Sequence, residues 1–166
     1  MARSIVVGYG TKRGSTREVA EAVAAVLWER GFVVELLSAE DVEDVDRYDG
    51  VVLGAALYAG RLQRDARRFL RRHRTGLVSL PVAVFALGPR QDTKEHLQRS
   101  RQQLERALAK VPDITPVLTG CFGGADREKH VDLRDWGVIR AWAQDAADAF
   151  DAAPAREALR RVPEHE

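Results

Sequence analysis

The chain of 166 residues has one cysteine, and it has no apolar run near the ~20 residues that a membrane-spanning helix needs. This single cysteine, Cys121, excludes an internal disulfide and is typical of a protein of the reducing cytoplasm. The N-terminal residues 1–4 lead directly into strand-like sequence and include neither the apolar region nor the cleavage site of a signal peptide. We therefore expect a cytoplasmic protein without a transmembrane segment.

The chain has little net charge, +1, but its charges are segregated along the sequence. Residues 40–49 carry six acids and one arginine, whereas residues 61–74 carry seven arginines and one aspartate. The arginine-rich segment is either a solvated helix face or a docking surface for an acidic protein, an anionic membrane surface or a ligand carboxylate. Nucleic acid is not expected as a partner, because no aromatic residues alternate with these arginines.

Short apolar runs alternate with helical patterns along the sequence. Strands are predicted over residues 4–9, 32–37, 50–57, 81–87 and 114–122. Helices are predicted over residues 15–30, 63–74, 93–109 and 135–150, and the acidic segment 38–49 returns the chain between the second and third strands. Short valine-rich strands that are buried on both faces predict a doubly wound parallel sheet, whose ligands bind beyond the carboxyl ends of the strands.

Several residues are assigned from these patterns. Ser15 and Glu18 form a capping-box pattern at the start of the first helix. The three tryptophans are expected in the core, and Cys121 is expected to be a small buried residue. His73 and His96 are expected on helix surfaces, and no histidine has a partner at metal-ligand spacing, so no metal site is predicted. Residues 1–152 are predicted to form one domain, and residues 153–166 a polar tail.

The loop between the first strand and the first helix reads GYGTKRGST and is rich in glycine and hydroxyl groups. A loop that opens a helix in this way is suited to a phosphate group. A P-loop is excluded because Ser15 follows Gly14 where that motif needs lysine. A dinucleotide fingerprint fits poorly, since the loop has one residue too many and strand two ends without an acid for the ribose. A hydroxyl-rich cradle for a mononucleotide and a simple turn without a ligand both stay open.

Two motifs resemble those of a known family. The pattern Y-x-T-x-x-G-S-T after strand one is similar to the FMN phosphate loop of flavodoxins, and the helix that follows also fits. The segment YDGVVLGAALYAGRLQRDARRFLRRHR resembles flavodoxin-domain proteins related to the menaquinone-dependent protoporphyrinogen dehydrogenases, through Tyr48, Asp49, Val51, Val52, Gly54, Tyr58, Gly60, Phe69 and His73. The resemblance implies an α/β flavodoxin-like fold, a five-stranded parallel sheet of order 2-1-3-4-5 with helices on both faces, and FMN as cofactor.

The resemblance also implies a cofactor site in three loops. The phosphate contacts fall on Thr11, Lys12, Arg13, Gly14, Ser15 and Thr16. The loop beside the flavin ring after strand three falls on Leu57, Tyr58, Ala59, Gly60 and Arg61. The loop after strand four would cover the other edge of the ring with Gly88, Pro89, Arg90 and Asp92.

The function implied is that of an FMN-dependent oxidoreductase. Its candidate partners are a quinone, a porphyrinogen or a redox partner protein, and a peripheral membrane contact stays open. Two alternatives remain at this point, which are a non-enzymatic electron carrier of the flavodoxin type and a flavin-less regulatory or assembly domain. No residue is an evident general acid or base, so no catalytic residue is assigned.

Overall fold

The central sheet of the protein is parallel and lies between two layers of helices. In the computed structural model, which describes residues 2–10, 14–88 and 93–154, the strands are β1 (Ser4–Gly10), β2 (Val33–Ser38), β3 (Gly50–Tyr58), β4 (Arg61–Leu62), β5 (Val82–Leu87) and β6 (Leu118–Phe122). Five of them are parallel, in the order β2-β1-β3-β5-β6, and β4 is a short antiparallel addition to the end of β3. Counted without β4, this is the order 2-1-3-4-5, and the predicted fold is confirmed.

The helices follow the strands in the predicted alternation. They are α1 (Ser15–Glu29), α2 (Arg64–Arg72), α3 (Arg74–Val78), α4 (Lys94–Ala109) and α5 (Trp136–Ala152). The acidic segment between β2 and β3 forms two short 3-10 turns, Ala39–Asp41 and Val45–Arg47. A small hairpin of β7 (Ala125–Asp126) and β8 (Val131–Asp132) precedes α5. Among the described residues, no helix is both long and apolar enough to cross a lipid bilayer.

Each face of the sheet has its own apolar core, because successive side chains of a strand point to opposite faces. On β1, Val6 packs into the core beneath α2, α3 and α4, whereas Ile5 and Val7 pack into the core beneath α1 and α5. The predicted apolar stripe of α1 is buried, as Val23 and Leu27 show. The valine-rich strands are therefore the central layer of a three-layer fold, as the sequence predicts.

The predicted second helix is divided at His73, which is the C-cap residue of α2 and the N-cap residue of α3. The prediction that His73 lies on the surface is wrong, since only 7% of the residue is exposed. Its Nε2 donates a hydrogen bond to the Val42 carbonyl at 3.1 Å, and its ring contacts Phe69. Burial lowers the pKa of His73, with the nearby Arg72 as the next cause. His73 was expected on the surface because it lies among arginines in the sequence.

Two further expectations are wrong. Trp28 was expected in the core but is 68% exposed, because it lies one position beyond the buried stripe in the last turn of α1. The fifth parallel strand begins at Leu118 and not at residue 114. Ile114 closes a turn by donating to the Val111 carbonyl, and Pro116 has no N–H for the sheet. Of the predicted polar tail, residues 155–166 lie outside the described residues.

Candidate functional site

The start of α1 presents a helix N-terminus without a side-chain cap. Its N-cap residue is Gly14, which has a left-handed backbone with φ 88°, and no side chain caps the helix among the described residues. The predicted capping box is wrong. Ser15 is the first helical residue, and Glu18 pairs with Arg127 at 2.8 Å and with Arg134 at 3.5 Å. Among the described residues, the positive end of the α1 dipole therefore has neither a carboxylate nor a hydroxyl cap.

Thr16 lies at this helix start and carries a buried hydroxyl. The residue is fully buried, and its Oγ1 has no hydrogen-bond partner in the part of the chain that the structure describes. A buried hydroxyl without a hydrogen bond is unfavourable, so such groups are normally satisfied by protein, water or ligand. Together with the uncapped helix, this orphaned oxygen fits a phosphate group. Thr11, Lys12 and Arg13 lie outside the described residues.

The predicted flavin-ring loop is a tight β-hairpin between β3 and β4. Leu57 is opposite Leu62, and Tyr58 is opposite Arg61. The two residues of the turn, Ala59 and Gly60, have φ values of 49° and 77°. Positive φ at both central positions is the signature of a type I′ turn, which matches the twist of the strands it joins. The turn fixes the backbone at the carboxyl end of β3, with Tyr58 half-buried beside it.

A buried glutamine, Gln63, lies between this hairpin and the end of β1. The Gln63 Oε1 caps α2 by accepting hydrogen bonds from the Asp65 N–H at 2.7 Å and the Ala66 N–H at 3.3 Å. A Cβ at Gly10 would lie 2.3 Å from that same oxygen, so the end of β1 is in close contact with the start of α2. Sequence reasoning missed Gln63, because glutamine is not among the residues that favour helix N-caps.

The third predicted loop begins at Gly88, after β5. The Gly88 N–H donates to the Phe122 carbonyl at 2.8 Å, and a Cβ at Gly88 would lie 2.5 Å from the Ser100 Oγ of α4. Packing against α4 therefore requires a glycine at this position. Pro89, Arg90 and Asp92 lie outside the described residues.

An arginine after β8 binds the last loop to the start of α1. The Arg134 guanidinium donates to the Ser15 carbonyl at 3.3 Å, pairs with Asp132 at 2.8 Å and lies 4.9 Å from the centre of the Trp136 ring. Its hydrogen bond lowers the pKa of Asp132 to about 2. No spacing in the sequence indicated Arg134, because its partner Ser15 is 119 positions away.

This arginine closes one side of a cleft of about 550 Å³ between the start of α1 and the β7–β8 hairpin. His130 lines the cleft and has a left-handed backbone with φ 53°. The lining also includes charged residues of both signs, among them Asp126 and Arg127. The cleft lies beside Ser15, so it borders the predicted phosphate loop.

The described residues of the three predicted loops lie at one edge of the sheet. Gly14–Thr16 follow β1, residues 57–61 lie at the end of β3, and Gly88 follows β5. These strands are neighbours in the sheet and are parallel, so their carboxyl ends are side by side. In an open α/β sheet this edge is where ligands bind.

Comparison with known proteins agrees with this arrangement. Residues 6–152 match the family model described as flavodoxin domain. The chain is 25% identical to protoporphyrinogen IX dehydrogenase [quinone] of Escherichia coli (strain K12), over 171 aligned positions that cover 86% of this chain and 94% of that one.

Solved structures give the same fold. Oxidised flavodoxin 1 from Bacillus cereus has a TM-score of 0.60 at 19% identity, covering 91% of this chain and 99% of that one. Rubredoxin oxygen:oxidoreductase from Desulfovibrio gigas has a TM-score of 0.61 at 16% identity, covering 90% of this chain and 36% of that one. The resemblance seen in the sequence is confirmed: the chain belongs to the flavodoxin domain family and is a flavin redox protein with FMN as its cofactor.

Proposed function

We propose that the protein is an FMN-dependent oxidoreductase that exchanges electrons with a quinone. One observation carries the proposal, which is the position of Arg61 directly after the type I′ turn. Arg61 is the one charged residue in the hairpin segment 57–62, and its side chain is exposed. A cation beside a flavin stabilises the reduced, negatively charged form and makes the reduction potential less negative. The name of the Escherichia coli relative, which includes a quinone, supports this assignment.

The size of this effect can be bounded. A cation about 8 Å from a unit negative charge, at an effective dielectric constant of ~20, contributes about 2 kcal/mol. This energy is about 90 mV for one electron. Solvent screening at an exposed side chain reduces the expected shift to about 20–50 mV. A shift of that size favours reaction with quinones over the supply of electrons at very low potential.

Different loops of the chain would bind different parts of the cofactor. Thr16 and the N–H groups at the start of α1 would bind the phosphate, with Thr11, Lys12 and Arg13 as further contacts expected from the sequence. The hairpin 57–61 would border one edge of the ring, and Gly88, Pro89, Arg90 and Asp92 the other. When bound, FMN supplies the reversible uptake of electrons and protons. We place this activity in the cytoplasm, in residues 1–152, since the single cysteine fits a reducing compartment.

The experiment compares wild type with Arg61→Gln and with Arg47→Gln. Arg47 is an exposed arginine in the turn before β3, at the opposite edge of the sheet. The reduction potential of the bound flavin and the turnover of menadione, a soluble menaquinone analogue, are measured for each protein. We expect Arg61→Gln to lower the potential by about 20–50 mV and to slow menadione reduction, while Arg47→Gln behaves as wild type.

Two other outcomes would replace the proposal. If menadione does not react and the potential is as low as in acid-lined flavodoxins, the protein is an electron carrier for a partner reductase. If the purified apoprotein does not bind FMN in a calorimetric titration, the flavin-less regulatory or assembly domain becomes the better explanation.

A further inference from the structure

A groove between α2 and α4 is lined by four cationic side chains. Its volume is about 320 Å³, and the cations are Arg61 of β4, Arg67 and Arg71 of α2, and Lys110 at the end of α4. The remaining lining residues are all apolar, and no carboxylate lines the groove in the described part of the chain. Cations that face one another without an acid repel, so this arrangement is unfavourable unless an anion binds between them.

Among the groove residues, Arg67 gives the strongest indication of an anionic ligand. Its side chain lies half-buried at the wall of the groove, and its Nε atom is buried without a hydrogen-bond partner among the described residues. Arg71 follows at the i+4 position on the same helix face, where like charges are unfavourable. A buried guanidinium N–H normally has an acceptor, and none of the residues that line this groove provides an acidic one.

The apolar floor limits the kind of anion that fits. Leu62, Leu70 and Val111 line the groove between the cations. Leu62 and Leu70 are almost fully buried, which makes the floor part of the core beneath the two helices. A volume of this size is at the lower end of the range for small-molecule sites, ~300–1,000 Å³. The groove therefore suits a compact apolar body better than an inorganic ion.

We propose that this groove binds an amphipathic organic dianion, a compact apolar molecule with two carboxylate, sulfonate or phosphate groups. One anionic group would pair with the guanidinium of Arg67 or Arg71, which can donate two parallel hydrogen bonds. The second would pair with Lys110 or Arg61. The site lies between α2 and α4, away from the phosphate loop, and shares only Arg61 with the flavin-ring loop. The test variants at Arg67 and Lys110 lie outside the proposed flavin site, so the proposal can be tested independently of the flavin reaction.

The experiment uses naphthalene-2,6-dicarboxylate as the probe, titrated calorimetrically into the FMN-loaded protein. We expect saturable binding with one site, weaker at about 0.5 M salt than at about 0.05 M because the attraction is electrostatic. The neutral analogue 2,6-naphthalenedimethanol should not bind at the same concentrations. Failure of saturable binding by the dicarboxylate, or equal binding by the neutral analogue, would overturn the proposal.

Matched variants locate the site. Lys110→Gln, at an exposed position, and Arg67→Gln should each weaken binding by about tenfold, as expected for one lost charge-assisted hydrogen bond. Arg68→Gln removes the same charge from the same helix at an exposed residue outside the groove, and it should change binding by less than about twofold. An equal loss in Arg67→Gln and Arg68→Gln would show a diffuse basic face and refute a built site.

Two further measurements keep the result unambiguous. If Arg67→Gln fails to fold, as judged by urea unfolding, Arg67→Lys keeps the charge, removes the guanidinium and should still weaken binding. A second assay measures binding to vesicles that contain phosphatidylglycerol. If the protein binds these vesicles but not the dicarboxylate, and Arg67→Gln and Arg68→Gln weaken vesicle binding equally, the arginine-rich face is a membrane-docking surface and the proposal is wrong. The flavin absorbance of each variant reports separately on the cofactor site, so a failure of FMN binding is distinguished from a failure of this groove.

Discussion

Thr16→Val should have opposite effects on the apoprotein and on FMN binding. The substitution keeps the size and shape of the side chain and replaces the buried hydroxyl by a methyl group. That hydroxyl has no partner among the described residues, and Thr16, the second residue of α1, is fully buried. Valine and threonine have similar helix propensities, so the change reports mainly on the hydroxyl.

The two magnitudes follow from the burial of one hydroxyl. In the apoprotein, removing an unsatisfied buried hydroxyl should raise the free energy of unfolding by about 1–2 kcal/mol. In the FMN complex, the same change removes a hydrogen bond to a charged phosphate, which is worth about 2 kcal/mol. The dissociation constant for FMN should therefore rise about 30-fold.

The assay combines urea unfolding of the apoprotein with calorimetric titration of FMN. Thr16→Ser is the control, because it keeps the hydroxyl and loses one buried methyl group. It should lower the free energy of unfolding by about 1 kcal/mol and leave FMN affinity within about threefold. A Val variant that binds FMN as tightly as wild type would refute the assignment of this oxygen to the phosphate. A Val variant with a less stable apoprotein would show that the hydroxyl already has a partner.

Two further predictions concern the turn and the buried histidine. Gly60→Ala should lower the free energy of unfolding, measured in urea, by about 1–2 kcal/mol because the left-handed backbone is strained for alanine. Gly60→Asn should lower it by less, because asparagine tolerates this backbone better. Equal decreases in both variants would indicate that contact with Gln103 is the cause instead. Burial lowers the pKa of His73, so the unfolded chain takes up a proton near its ordinary pKa of 6.5, whereas the folded protein does so only at lower pH. Stability should therefore fall as the pH decreases below about 6.5, and urea unfolding at about pH 7.5 and 5.5 should show a smaller decrease in His73→Gln than in wild type.

The architecture could be predicted because it depends on local patterns. The valine-rich strands and the apolar stripe of α1 are each encoded by residues that are close together in the sequence. The family resemblance gave the strand order, which periodicity alone leaves open. The positions of the three ligand loops then follow from the parallel sheet, since every loop after a strand reaches the same edge.

What the sequence did not reveal depends on contacts between distant residues. His73 is buried because it reaches the Val42 carbonyl, 31 positions away, and its arginine neighbours hide this. Gly88 was assigned to the cofactor loop, yet its need for glycine arises from Ser100 on α4. The burial of His73 and the need for glycine at position 88 depend on how the helices pack against the sheet, and no pattern in a single sequence reveals that packing.

Several locally unfavourable features lie at the edge where the cofactor is expected. α4 and α5 begin with side-chain caps from Thr93 and Asp135, whereas α1 begins without one among the described residues. Thr16 buries a hydroxyl that has no partner in the described part of the chain, and Ala59 has a positive φ in the nearby hairpin. Each feature costs about 1–3 kcal/mol in the free protein and persists only if the surrounding structure enforces it. A bound phosphate would satisfy both the hydroxyl and the helix N-terminus, so FMN should recover stability that the apoprotein lacks.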